Sequence, residues 1–123
     1  MTTKSKKTLI IGATDKPGRY AYRALHMLKD HGHSVEGIAR REMQVSGVEI
    51  RKDKPEYDAI HTVTLYLSAK FQEEYYDYVV DLKPKRVIFN PGTENPKFYD
   101  ILDENGIDYE VACTLVMLST NQY

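Results

Sequence analysis

The chain has 123 residues, 41% hydrophobic and 28% charged, which suits one ordinary globular domain and is too short for two cores. Its net charge of −1 offers no general attraction to nucleic acid or to an anionic membrane, so neither partner is expected and any basic site must be local. The single cysteine, Cys113, excludes an internal disulfide and points to a reducing cytoplasm. Residues 1–7 are polar, and the apolar run after them is too short for a leader or a membrane span.

In chain order, residues 1–7 read as a flexible basic tail. Leu9-Ile10-Ile11 then suits a strand buried on both faces. Gly12 follows at once, where the chain must turn without a side chain in the way. Asp15-Lys16-Pro17-Gly18 is a loop by its turn residues. A first helix is expected over residues 20–31, with Gly32 at its C-terminal end. A second strand covers residues 34–39, and residues 45–50 form a short extended stretch broken by Gly47. The β-branched run at residues 59–66 predicts the third strand. Ser68 then opens a second helix that Pro84 stops. Residues 86–90 predict the fourth strand and Pro96 starts a third helix. A fifth strand covers residues 108–113, with a short apolar helix after it.

Strands alternating with helices predict a three-layer α/β domain around a parallel five-stranded sheet with right-handed crossovers. The expected strand order is 3-2-1-4-5, with the switch point beside strand one. Ligands of such sheets sit outside the carboxyl ends of the strands. The rim then comprises residues 12–19, 39–41, 65–68, 90–94 and Cys113.

The glycine turn leading into a helix offers unpaired N–H groups and a positive dipole end to an anion. It is neither the dinucleotide fingerprint, since only Gly12 and Gly18 are present, nor a Walker loop. Enzymes using NAD usually place an acid at the end of strand two. Here Ala39-Arg40-Arg41 stands instead, which favours a phosphate on the adenosine ribose. Arg19 adds a third positive group. Together these point to a phosphorylated adenine nucleotide such as coenzyme A or NADP. The plain alternative is that both arginines solvate a strand end.

Gly12-Ala13-Thr14, Pro17, Arg19 and Tyr22 resemble the G-A-S, N-P, R and S-Y of the small stand-alone CoA-binding proteins. These in turn resemble the CoA-binding domain of the succinyl-CoA synthetase alpha subunit. The likeness extends over almost the whole chain, to Cys113 at the end of the fifth strand. It implies a Rossmann-like fold whose glycine loop and first helix hold the diphosphate of coenzyme A or an acyl-CoA. By position, Gly12, Ala13, Thr14, Pro17, Arg19 and Tyr20 fall to that task. Ala39, Arg40 and Arg41 lie beside the adenosine, and Leu65, Tyr66 and Leu67 border the cofactor. On the rim, Asn90, Pro91 and Gly92 could meet the pantetheine or a substrate, and a turn followed by a helix cap is the plainer reading there. This chain departs from the pattern at Ala21, where serine is common, and at Ala39-Arg40-Arg41, which replaces Asn-Pro-Lys.

No catalytic constellation is evident. His26, His31, His33 and His61 lack metal-ligand spacing, so no metal site is expected. Cys113 could exchange disulfides with a CoA thiol, and a buried inert cysteine is the plainer reading. The expected role is therefore binding of a small-molecule nucleotide cofactor without catalysis. The alternatives are an NADP-binding oxidoreductase-like protein and thiol chemistry at Cys113. The apolar segment at residues 115–118 can bury against the domain or meet a second copy or another protein.

Overall fold

The computed structural model describes residues 5–123. Seven strands, β1 (Thr8–Ile11), β2 (Val35–Ile38), β3 (Met43–Val45), β4 (Val48–Arg51), β5 (Thr62–Leu65), β6 (Arg86–Phe89) and β7 (Asp108–Val111), form one sheet. Four α-helices flank it: α1 (Tyr20–Asp30), α2 (Tyr76–Leu82), α3 (Pro96–Glu104) and α4 (Thr114–Ser119). The strand order is β3-β4-β2-β1-β5-β6-β7, and every pairing is parallel except β3 with β4. This is an α/β Rossmann-like sheet, and it corrects the expected five-stranded parallel order.

The correction has a specific cause. Residues 45–50, read as one broken extended stretch, belong to a tight hairpin over residues 43–51 whose Ser46 and Gly47 both take positive φ, 50° and 82°. That is the backbone of a primed turn, whose twist matches the flanking strands. The hairpin's second arm, β4, pairs with β2 through Gly37↔Ile50 and Ile38↔Arg51. A Cβ on Gly37 would lie 2.5 Å from Ile50 Cδ1, so the bare glycine leaves room for the tip of that side chain where β4 closes on β2. With β4 in that place, the run at residues 59–66 is displaced to the other side of β1, as β5.

Alternation along the strands divides the core. Leu9 and Ile11 join Val79 of α2 and Phe98 and Leu102 of α3 on one face. Ile10 joins Ala21, Leu25 and Leu28 of α1 and Leu118 of α4 on the other. The expected tail is only partly testable, since residues 1–4 lie outside the described residues. Residues 5–7 are engaged: the Lys6 amide donates to His33 Nδ1 at 3.0 Å, and the Lys7 carbonyl accepts from the His61 and Thr62 amides.

The expected second helix is shorter than its sequence suggests. Two 3-10 turns, Ala69–Phe71 and Glu73–Tyr75, precede α2, and the Ser68 side chain caps neither. Gln72, fully buried between them, donates from Nε2 to the carbonyls of Leu67 and Thr93, both at 2.8 Å. Tightening the backbone there turns Gln72 inward and ties two rim loops together.

Candidate functional site

The site forms at the carboxyl ends of β1, β5 and β6, where the connections from β1 and β5 leave in opposite directions. Gly12 ends β1 with φ +97°, and a Cβ there would come within 2.9 Å of the Tyr66 carbonyl carbon. Both the dihedral and the approach of β5's end require glycine. The loop that follows is short and held by its own backbone: the Arg19 amide donates to the Lys16 carbonyl, and the Lys16 amide to Thr14 Oγ1. It delivers the chain to α1, whose first turn carries no acid and no side-chain cap. The amides of that turn face an open cleft of about 320 Å³. Its walls include Gly12, Thr14, Lys16, Arg19, Tyr66 and Gly92.

Of the residues expected at the site, Gly12, Thr14, Arg19, Tyr20, Tyr66, Pro91 and Gly92 line this cleft together. Ala13 turns into the core under α1, and Leu65 is buried on the opposite face of the sheet. Pro17 is exposed on the loop without lining the cleft, and Leu67 packs beneath Gly12. Ala39, Arg40 and Arg41 stand on the neighbouring rim. The Arg40 guanidinium lies 4.3 Å from the Phe71 ring centroid, and Arg41 pairs with Asp15 at 3.3 Å. Both ends of the Arg41–Asp15 pair are exposed, so it holds little energy against an incoming anion.

Lys16, Ser68 and Thr93, all within the expected rim, also line the cleft, as does Ala21, the departure from the family's serine. Lys16 carried a signal, since it lies inside the glycine loop. Thr93 lay on the expected rim, and its exact place depends on Asn90. That asparagine is buried, and its side chain serves the protein. Nδ2 donates to Thr64 Oγ1 at 2.6 Å and to the Leu65 carbonyl at 2.9 Å, while Oδ1 accepts from the Thr114 amide at 2.8 Å. Its carbonyl accepts from Thr93 Oγ1 at 2.8 Å. A parallel set joins Asn95 Nδ2 to Gln72 Oε1 and the Tyr76 hydroxyl, each at 2.9 Å. These bonds lock the rim loops of β5 and β6 and the start of α4.

Beside the cleft lies a second concavity of about 230 Å³, bounded by Tyr20, Tyr66, Asn90, Pro91, Cys113 and Leu115. Cys113 is half-buried there, directly ahead of α4. Burial pushes the Tyr66 phenol up, so it stays neutral at physiological pH.

His33 and His61 sit at the amino ends of β2 and β5, across the sheet from the cleft. Burial lowers both side chains below the usual histidine range, with nearby Lys6 and Arg86 adding to the effect. The unfolded chain binds these protons at higher pH than the folded one, so stability is expected to decline as pH falls below about 6.5. Melts at pH 7.5 and 5.5 check this. A His33→Gln, His61→Gln variant should show a smaller decline than the wild type, and an equal one would refute the assignment.

An open, mostly parallel sheet with a glycine turn and an uncapped helix N-terminus at its switch point defines a Rossmann-like α/β domain. Within that class the CoA binding domain family matches residues 6–119, and the chain belongs to that family. It is similar to a crystal structure of an uncharacterized protein, 48% identical, with TM-score 0.95 over 98% of this chain and 100% of that one. A hypothetical protein from Pyrococcus horikoshii OT3 is 27% identical, with TM-score 0.86 over 95% of this chain and 84% of that one. A Thermus thermophilus structure, 21% identical with TM-score 0.82 over 96% and 91% of the two chains, shares the fold. No curated protein matches the sequence. Among the described residues, no helix is long and apolar enough to cross a membrane.

Proposed function

We propose that this chain is a binding domain for coenzyme A or an acyl-CoA and performs no chemistry of its own. The observation that carries the reading is the uncapped N-terminus of α1, opening beside Gly12 onto a cleft with Lys16 and Arg19 on its walls, in a chain of the CoA-binding family. A diphosphate suits that place because helix-end amides and cationic side chains act on the same anion. In this reading Gly12, Ala13, Thr14, Pro17, Arg19 and Tyr20 form the diphosphate loop. Ala39, Arg40 and Arg41 meet the phosphorylated adenosine, residues 65–67 border the cofactor, and residues 90–92 flank the arm. A binding role is supported by the cleft's composition. Among the described residues no histidine or carboxylate lines it.

A thermal melt with CoA, dephospho-CoA, NADP and NAD at equal millimolar concentration tests the reading. A ligand at a hundred times its dissociation constant adds about 2.7 kcal/mol to the folded state. A shift with CoA that shrinks for dephospho-CoA is expected. A shift with NADP alone would replace this reading with a hydride-transfer one. Replacing Arg40 and Arg41 together by alanine should weaken CoA by roughly tenfold or more and dephospho-CoA much less, because charge-assisted bonds to the 3′-phosphate are lost. Equal loss for both ligands would remove the phosphate from those arginines.

A further inference from the structure

We propose that the apolar concavity beside the cleft receives the acyl chain of a short thioester, so that this chain's ligand is a short acyl-CoA rather than the free thiol. The inference rests on the cleft's being a CoA site, and it concerns what lies at the far end of that ligand.

Strand order sets the direction. The rim positions follow β2, β1, β5, β6 and β7 in space, which places residues 39–41, the glycine loop, residues 66–68, residues 90–93 and Cys113 in a line. Four strand spacings separate its ends, roughly 19 Å at about 4.8 Å each. The cationic groups stand at the β2 and β1 end. An extended ligand with its phosphates there carries its other terminus toward β7.

That terminus meets a different chemistry. No charged side chain lines the second concavity, and the Asn90 side chain is committed to Thr64, Leu65 and Thr114. The remaining walls are the rings of Tyr20 and Tyr66, Pro91, Cys113 and Leu115. The two concavities adjoin, since Tyr20, Tyr66 and Pro91 border both. Tyr20, on the shared wall, is 68% exposed, a large ring left uncovered where a ligand would pass. A bare thiol leaves such walls facing water, whereas a hydrocarbon chain removes apolar surface from it. A water's share of liquid volume is about 30 Å³, and with a methylene taken as similar in size, 230 Å³ admits roughly eight such groups. The end of the arm takes part of that space, which leaves room for an acyl group of roughly four carbons.

Calorimetric titration of the whole chain with CoA, acetyl-CoA, butyryl-CoA and octanoyl-CoA tests the assignment. Affinity should rise about fourfold per added methylene up to butyryl, the effect of burying each one, and stop rising by octanoyl. A Leu115→Arg substitution should abolish the dependence on chain length. Equal affinity of the wild type for CoA, acetyl-CoA and butyryl-CoA would overturn the acyl assignment while leaving the cofactor reading in place. Failure of CoA and every thioester to bind would overturn both.

Discussion

Replacing Gly12 with alanine is expected to destabilise the domain by roughly 3 kcal/mol and to abolish the melting shift with CoA. Two effects add. An L residue at φ +97° costs about 1–2 kcal/mol. The new Cβ would also stand 2.9 Å from the Tyr66 carbonyl carbon and 3.0 Å from its oxygen. Those are backbone atoms at the end of a central strand and cannot swing aside, and overpacking of this kind costs about 1–3 kcal/mol. Relief requires the end of β5 to move away from β1, which opens the floor of the cleft. Gly18→Ala is the matched control. That glycine has no positive φ, and a Cβ on it meets nothing within 4 Å. Its change in stability should lie within about 0.5 kcal/mol of zero. Chemical denaturation of the two variants checks the pair, and similar losses in both would refute the strain argument.

Asn90→Ala should cost roughly 3–5 kcal/mol, because it takes a partner from three buried groups at once. The Leu65 carbonyl loses a donor, the Thr114 amide loses its acceptor, and Thr64 Oγ1 keeps only its 2.8 Å bond to the Thr114 hydroxyl. Each buried polar group left without a partner costs about 1–3 kcal/mol. Asn90→Asp separates shape from hydrogen bonding. It retains the acceptor for Thr114 but removes the Nδ2 donor and introduces a carboxyl at a site only 2% exposed. It should therefore also destabilise. A loss below about 1 kcal/mol in Asn90→Ala, measured by urea unfolding, would show that the rim loops are held by other contacts. A large loss makes Asn90 the residue that positions the walls of both concavities.

How much of this could be read from sequence depends on whether the signal is local. The apolar run Leu9-Ile10-Ile11, the turn at Gly12 and the helix start at Pro96 each act over a few residues, and each lies where expected. Asn95 accepts the Phe98 amide with Pro96 at the first helical position. The hairpin was missed because Ser46 takes a left-handed conformation that serine does not announce. The network of Gln72, Asn90, Asn95 and Thr114 was missed because polar residues read as surface until tertiary packing buries them. Lys6 and Lys7 read as tail because pairing through backbone atoms leaves no mark on side-chain type.

The amino-acid sequence by itself determined the alternation of strands and helices, the glycine turn ahead of α1 and the arginines at the end of β2. Each follows from hydrophobic period, backbone freedom or charge within a short window. Tertiary structure alone decided which strand lies beside which, that Gly37 admits Ile50, and that Asn90 faces inward rather than toward a ligand. It also decided that an apolar concavity adjoins the polar cleft. Those features are contacts between residues far apart in the chain, and their energies do not exist until the sheet brings them together.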